Sequence, residues 1–133
     1  MITALAHTCY VVRDLDAALH FYVDQLGLTP AFDFVKDDGV RFGIYLHVGG
    51  RSFIELFQGA HADRVDGQSY GHLCLEVDDI QATTAAITAA GAAVEPISLG
   101  SDQSWQAWLT DPDGNRIELH QYTPESWQAP HVR

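Results

Sequence analysis

The sequence predicts an α+β fold built as two tandem βαβββ units, and three observations carry that reading. First, the chain repeats itself. Moving the segment Ala6-His7-Thr8-Cys9 forward by 65 residues lays His7 on His72, Cys9 on Cys74, Val12 on Val77, Asp14 on Asp79 and Leu15 on Ile80. Second, the two copies close alike, on Phe53-Ile54-Glu55-Leu56 and on Arg116-Ile117-Glu118-Leu119. Third, each copy holds one stretch of helical period framed by stretches that alternate like strands.

Taken in order, residues 2–12 read as a strand, with Leu5, His7, Cys9 and Val11 on one face and Ala4, Ala6, Tyr10 and Val12 on the other. Asp14 caps a helix whose Leu15, Leu19, Tyr22 and Leu26 recur at helical spacing, and Gly27 stops it. Strands follow at 28–36, 40–48 and 51–58, turned by Asp38-Gly39 and Gly49-Gly50; in the last, Phe53, Glu55 and Phe57 oppose Ile54 and Leu56. Residues 59–69, polar and glycine-bearing, form a linker. The second copy, 70–122, repeats the order. A strand at 70–77 leads to an alanine-rich helix capped by Asp78 or Asp79 and ended at Gly91. Strands follow at 93–99, 104–110 and 115–122, with the turn Asp111-Pro112-Asp113-Gly114 before the last. The tail 123–133 has no period, and Trp127 in it is an expected contact for a partner chain. The first unit is thus about 2–58, and residues 1–133 make a single domain of two half-domains that cannot stand apart.

Composition narrows the function. Apolar residues are 47% of the chain, ample for a core, and the net charge of -11 argues against nucleic acid, anionic membrane surfaces and polyanionic ligands. Two cysteines make no disulfide framework; Cys9 and Cys74 read as small buried thiols at equivalent repeat positions. With no signal peptide and no apolar run of membrane length, the expectation is a soluble cytoplasmic protein.

The chemistry follows from the repeat. If the helices cover the faces carrying Ile54, Leu56, Leu73, Leu75, Ile117 and Leu119, then His7, Glu55, His72 and Glu118 lie on the opposite faces. Two sheets curled toward each other would aim these four at one point. Carboxylates gathered in a semi-apolar cup need a cation, and two nitrogens with two oxygens suit a divalent first-row metal, whether Ni, Co, Zn, Mn or Fe. His120 shares the face of Glu118, as rim or support, while His20, His47, His61 and His131 have no repeat partner and are expected at the surface.

The His-x-x-x-x-Val-x-Asp-Leu start, the Phe-Ile-Glu-Leu-Phe strand, the Tyr-Gly-His-Leu-Cys-Leu-Glu-Val-Asp-Asp strand and the Asp-Pro-Asp-Gly-Asn-Arg-Ile-Glu-Leu ending resemble the vicinal oxygen chelate superfamily (glyoxalase, bleomycin resistance and dioxygenase proteins), over residues 3–122. Within it the chain is most similar to the glyoxalase I (lactoylglutathione lyase) branch. The resemblance implies an open eight-stranded cup, a homodimer, and His7, Glu55, His72 and Glu118 as ligands of one divalent metal. It implies a metal-dependent lyase or isomerase that moves a proton on a metal-chelated alpha-oxygenated small molecule through an enediolate, with Glu118 as base and Glu55 as the other candidate.

Departures from the branch bear on the substrate. Bacterial members typically carry an Arg four residues after the first ligand, where this chain has Val11, and often a Lys before the seventh strand, where residues 97–103 have none. Arg116 falls on the ligand face and Arg41 or Lys36 within reach of its rim, each read first as an ordinary solvated charge. These departures argue against glutathione. Two other readings compete: an extradiol-type dioxygenase using His7, His72 and Glu118, and a non-enzymatic binding protein of the drug-sequestering kind. In the latter Phe42, Phe53, Phe57, Tyr70, Trp105 and Trp108 would line the cup.

Overall fold

The structure, a computed structural model, describes residues 1–132. The chain divides into two units, Met1–Asp63 and Arg64–Arg133, the boundary falling inside the expected linker. In the first, β1 (His7–Val12) leads to α1 (Leu15–Leu19), then to β2 (Thr29–Val35), β3 (Arg41–Gly49) and β4 (Ser52–Gln58). In the second, β5 (Leu73–Glu76) leads to α2 (Ile80–Ala89), then to β6 (Ser98–Leu99), β7 (Trp105–Thr110) and β8 (Arg116–Gln121). Each unit is therefore βαβββ, with a four-stranded mixed sheet ordered β1-β4-β3-β2 in one and β5-β8-β7-β6 in the other. In each sheet the first strand of the unit lies at one edge and runs parallel to the last, and the remaining pairings are antiparallel.

The helices start where the sequence predicts. Asp14 accepts from the backbone N–H groups of Asp16 and Ala17 at 3.0 and 3.1 Å, and Asp79 accepts from Ala82 N–H at 2.9 Å. A second device recurs in both units. Gln58 at the end of β4 accepts from Leu15 N–H at 3.2 Å, and Gln121 at the end of β8 accepts from Ile80 N–H at 2.8 Å. Each closing strand is thereby tied to the first turn of its helix, where backbone donors lack intrahelical partners.

Past α1 the chain widens into a π-helical segment, His20–Gln25, with Leu26 N–H reaching back to the Phe21 carbonyl. The wider turn puts two consecutive rings inside, Phe21 and Tyr22, edge to face at 5.0 Å. The buried set on this helix is thus Leu15, Ala18, Phe21 and Tyr22, while Leu19 and Leu26 of the predicted stripe are only half-buried. Gly27, at φ 80°, ends it in the left-handed region that a side chain disfavours. In the first unit the helical segment covers Tyr10, Val12, Ile44, Leu46, Ile54 and Leu56. In the second, Ile80 and Ile87 are buried with Ala107, Leu109, Ile117 and Leu119. Burying side chains such as Ile54 or Ile117 contributes about 1.5–3 kcal/mol each.

Three predicted strand boundaries change. β1 begins at His7 rather than at residue 2, because its parallel partner β4 begins at Ser52 and leaves residues 2–5 no ladder. β5 begins at Leu73, opposite Ile117, so His72 stands just before the strand and Leu73 and Leu75 are half-buried rather than core. The strand predicted at 93–99 shrinks to Ser98–Leu99. Pro96 lacks an N–H, and the bond from Glu95 N–H to the Trp108 carbonyl stands apart from the ladder. The tail is not free, since Trp127 N–H donates to the Asp102 carbonyl at 2.9 Å and Ser126 Oγ is 2.7 Å from Ser104 Oγ. Among the described residues no helix is long and apolar enough to cross a membrane.

Candidate functional site

The face of the first sheet that turns away from α1 is set by register. β1 presents His7, Cys9 and Val11; β4 presents Phe53, Glu55 and Phe57 beside them; β3 adds Tyr45 opposite Glu55. His7 Nε2 lies 3.9 Å from Glu55 Oε1, and its Nδ1 is hydrogen-bonded to the Tyr45 hydroxyl at 2.9 Å. That bond engages one ring nitrogen and leaves Nε2 directed at the carboxylate. Around the pair stands an aromatic cluster. Phe32 stacks on Tyr45 at 4.9 Å, Tyr45 meets Phe53 at 5.0 Å, Phe34 meets Phe57 at 4.8 Å, and Phe42 stacks on Phe57 at 5.9 Å. The Phe57 ring lies over Gly43, where a Cβ would come within 2.5 Å of it.

The second sheet repeats the plan with different chemistry. Cys74, Glu118 and Trp108 stand side by side on β5, β8 and β7. His72 Nε2 lies 3.0 Å from Glu118 Oε2 and packs edge-on to Trp108 at 4.7 Å. His120 Nδ1 lies 2.9 Å from Glu118 Oε1, and both residues are buried. Arg116 donates to Glu95 at 2.6 Å and rests over the Trp108 ring at 5.2 Å.

Both thiols sit against a carboxylate. Cys9 and Cys74 are free and count as exposed residues, which corrects the expectation of buried thiols: they belong to the faces the helices leave uncovered. Both thiols are nevertheless partly desolvated, Cys74 more than Cys9. Desolvation first, and the neighbouring Glu118 charge second, push the Cys74 thiol up to about 12. Desolvation and Glu55 likewise raise Cys9. Both therefore stay protonated at neutral pH.

Donor spacing tests whether these residues suit a divalent ion. Two ligands each about 2.1 Å from one ion at right angles lie about 3.0 Å apart. The His72–Glu118 separation of 3.0 Å meets that spacing as it stands, and the His7–Glu55 separation of 3.9 Å meets it after a small approach. Each unit thus carries one imidazole and one carboxylate that fit a metal's donor set. Cys74, Glu118 and His120 also place one donor atom each within 4.8 Å of one another.

The predicted residues pair as His7 with Glu55 and His72 with Glu118, each within its own unit. Of the aromatics expected near the site, Phe42, Phe53 and Phe57 join the first cluster and Trp108 packs on His72. Trp105 is corrected: it lines a cleft with Ile80, Ile97 and Gln121 beside the start of α2. Tyr70 lies under Arg64 at 5.4 Å. Phe32, Phe34 and Tyr45 were missed, although the alternation of Phe32 and Phe34 along one strand was a signal. His47 is half-buried on Phe53 at 5.2 Å rather than on the surface, and His61 is also half-buried, while His20 and His131 are exposed as expected. Arg41 is engaged by Asp16 and Asp33 at 3.4 and 3.5 Å.

Comparison with known proteins places this arrangement in context. The profile of the Glyoxalase/Bleomycin resistance protein/Dioxygenase superfamily matches residues 4–119. A probable lactoylglutathione lyase of Vibrio cholerae is 35% identical over 126 residues, covering 88% of this chain and 89% of its own. Among solved structures, SMU.1112c superposes with a TM-score of 0.80 at 26% identity, over 90% of this chain and 99% of its own. TnmS3, an antibiotic binding protein from Streptomyces sp. CB03234, superposes with a TM-score of 0.71 at 27% identity, over 92% of this chain and 98% of its own.

Proposed function

This chain belongs to the Glyoxalase/Bleomycin resistance protein/Dioxygenase superfamily, and from that premise we propose that it is a divalent-metal-dependent lyase or isomerase of glyoxalase type. The observation that carries the proposal is the recurrence of one imidazole–carboxylate pair at equivalent places in both units, 3.0 Å apart in the second and 3.9 Å apart in the first. His7, Glu55, His72 and Glu118 are the residues that would hold the ion. When bound, a divalent ion supplies Lewis acidity toward two adjacent oxygens of a small alpha-oxygenated substrate.

The protein's own groups do the rest. Glu118 takes the proton from the carbon beside the carbonyl and returns it to the neighbouring carbon, so that substrate and product are isomers and no oxidant is consumed. Glu55 is the second candidate for that role. In the metal-free protein desolvation and a neighbouring carboxylate raise Cys9 and Cys74 above the ordinary thiol value, which makes them weak nucleophiles. The aromatic cluster beside His7 gives an apolar seat to the part of the substrate that does not react.

Glutathione is a poor match to the groups present. Val11 is exposed where an anchoring Arg was expected, and Arg116 and Arg41 already face carboxylates. The deciding experiment is an isomerase assay on protein stripped of metal and reloaded separately with Ni, Co, Zn and Mn. The first substrate is the hemithioacetal of methylglyoxal and glutathione. Metal-dependent turnover supports the reading, and tight metal binding with no turnover discards that substrate and retains the centre.

A second reading has one observation in its favour. The Phe32, Phe34, Phe42, Tyr45, Phe53 and Phe57 cluster, with Phe32 half open to solvent, is a surface on which a flat aromatic compound can stack. Saturable binding of aromatic compounds by metal-free protein, with no metal uptake, would favour sequestration over catalysis.

A further inference from the structure

We propose that His120 is a positioning residue for Glu118: its Nδ1–H holds one carboxylate oxygen so that the other is presented beside His72 to the divalent ion. The inference rests on the reading of Glu118 as a metal ligand given above.

The geometry divides the two oxygens of Glu118. Oε1 is 2.9 Å from His120 Nδ1, and Oε2 is 3.0 Å from His72 Nε2. An ionised carboxylate only accepts, so the proton of the first bond sits on Nδ1. A bond of this kind between two buried groups fixes the rotamer of the carboxylate, and such supporting bonds govern how well a ligand holds its metal.

His120 is held in turn from two directions. Tyr122 meets its ring edge-on at 4.9 Å, and its buried Nε2 faces Asp102 Oδ2 at 3.8 Å, with no hydrogen-bond partner among the described residues. Asp102 is itself anchored. Ser104 N–H donates to Oδ1 at 3.1 Å, Gln128 Nε2 donates to Oδ2 at 2.6 Å, and Trp127 N–H donates to its backbone carbonyl. Gly100 leaves the room this requires, since a Cβ there would lie 2.8 Å from Asp102 Oδ1. The tail thus braces Asp102, and Asp102 faces the far side of the His120 ring.

The repeat supplies an internal control. In the aligned closing strands, Phe57 stands where His120 stands, and β4 has no histidine at all. The fold accepts a phenyl ring at that position, packed 4.8 Å from Phe34. Glu55 correspondingly has His7 at 3.9 Å and no imidazole two residues on. His120 is therefore an addition to the frame rather than a requirement of it. Direct ligation by His120 fits the geometry less well, although its donor atoms cluster with those of Cys74 and Glu118. Nδ1 is engaged by Glu118 at 2.9 Å, and Nε2, without a hydrogen-bond partner among the described residues, is buried beside Asp102 at 3.8 Å rather than open to an incoming ion.

The test compares wild type with His120→Phe, which copies the first unit, and His120→Asn, whose amide can donate as Nδ1–H does. Co(II) is titrated into each metal-free protein and followed by calorimetry and by the visible absorption of the bound ion. Circular dichroism and Tm report the fold. The expected result is Co(II) affinity reduced on the order of ten- to a hundredfold in His120→Phe, with an altered absorption band, substantial recovery in His120→Asn, and an intact fold in both. In metal-free wild type, nitrogen NMR at one pH should find the His120 proton on Nδ1, with its resonance shifted in Glu118→Ala. Wild-type affinity and absorption in His120→Phe overturn the proposal, as does a bare Nδ1 in metal-free wild type. Equal loss in both His120 variants also overturns it, because that is the mark of direct ligation. Wild type that takes up no Co(II) while keeping the Nδ1–H bond overturns the metal-centre reading itself, and the role of His120 with it. That outcome is distinct from the others because wild type itself fails.

Discussion

Glu118 has the most partners of any proposed site residue: two imidazoles on its oxygens and a thiol alongside. Glu118→Gln keeps the shape and removes the proton acceptor. Turnover should fall by about 10²–10⁴-fold with an unchanged circular dichroism spectrum, and undiminished activity would remove Glu118 as the base. The thiols allow a second check. With its thiol pushed up to about 12, Cys74 carries little thiolate at pH 8, so iodoacetamide should label it far more slowly than an ordinary exposed cysteine. Rapid labelling at Cys74, read by peptide mass spectrometry, would contradict the described environment. Asp102 provides a pH dependence. The Gln128 amide is the main influence lowering its pKa, with Ser104 N–H and His120 acting in the same direction. A carboxylate whose folded pKa lies below its unfolded value, about 3.9, stabilises the fold above that value and loses the contribution as pH falls through the folded one. Gln128→Ala should therefore lose less stability than wild type between pH 6 and pH 3 in urea unfolding. An identical loss in the two proteins would refute the role of Gln128.

At the scale of the element, the two units use one plan: a capped helix packed on a mixed sheet, with a glutamine from the closing strand bonded to the helix start. Removing one such bond leaves a backbone N–H without its acceptor. Gln121→Ala should cost about 1 kcal/mol, measured as a shift in the urea midpoint, and Gln58→Ala, with the longer bond, no more than that. The core responds on a larger scale. Ile117→Ala, at a position with no exposure, should cost about 2–5 kcal/mol. The open faces explain why two sheets of one plan differ in chemistry. The first gathers rings around His7, and the second gathers histidines and paired charges around Glu118.

For the whole molecule, the net charge of -11 opposes the compact state by self-repulsion, and the proposed divalent ion would act against it. An ion bound only by the folded state stabilises it by mass action, about 2.7 kcal/mol at a free concentration one hundred times Kd. Stripping with a chelator should lower Tm, and reloading should restore it. Glu55→Gln and Glu118→Gln should each blunt the restoration, and a Tm indifferent to chelator in wild type would count against a resident metal.

Much of this protein could be read from its residues in order. The repeat, the caps at Asp14 and Asp79, the Asp111-to-Gly114 turn and the alternation that separates Ile54 and Ile117 from Glu55 and Glu118 all depend on neighbours within a few positions, where period and turn chemistry speak directly. The same local rules carried His7, Glu55 and Glu118 to the faces turned away from the helices, with His72 just before its strand. What needed tertiary structure were the features set by distant partners. A strand's start depends on where its neighbour's ladder begins, which moved β1 to His7 and β5 to Leu73. The phase of the first helix depends on a π-helical turn that admits both Phe21 and Tyr22. The difference between Glu55 and Glu118 depends on His120, Asp102 and a tail residue, Gln128, twenty-six positions from Asp102. No period runs through such a set, because its members meet only when the loop after β6 and the tail after β8 fold onto the same sheet.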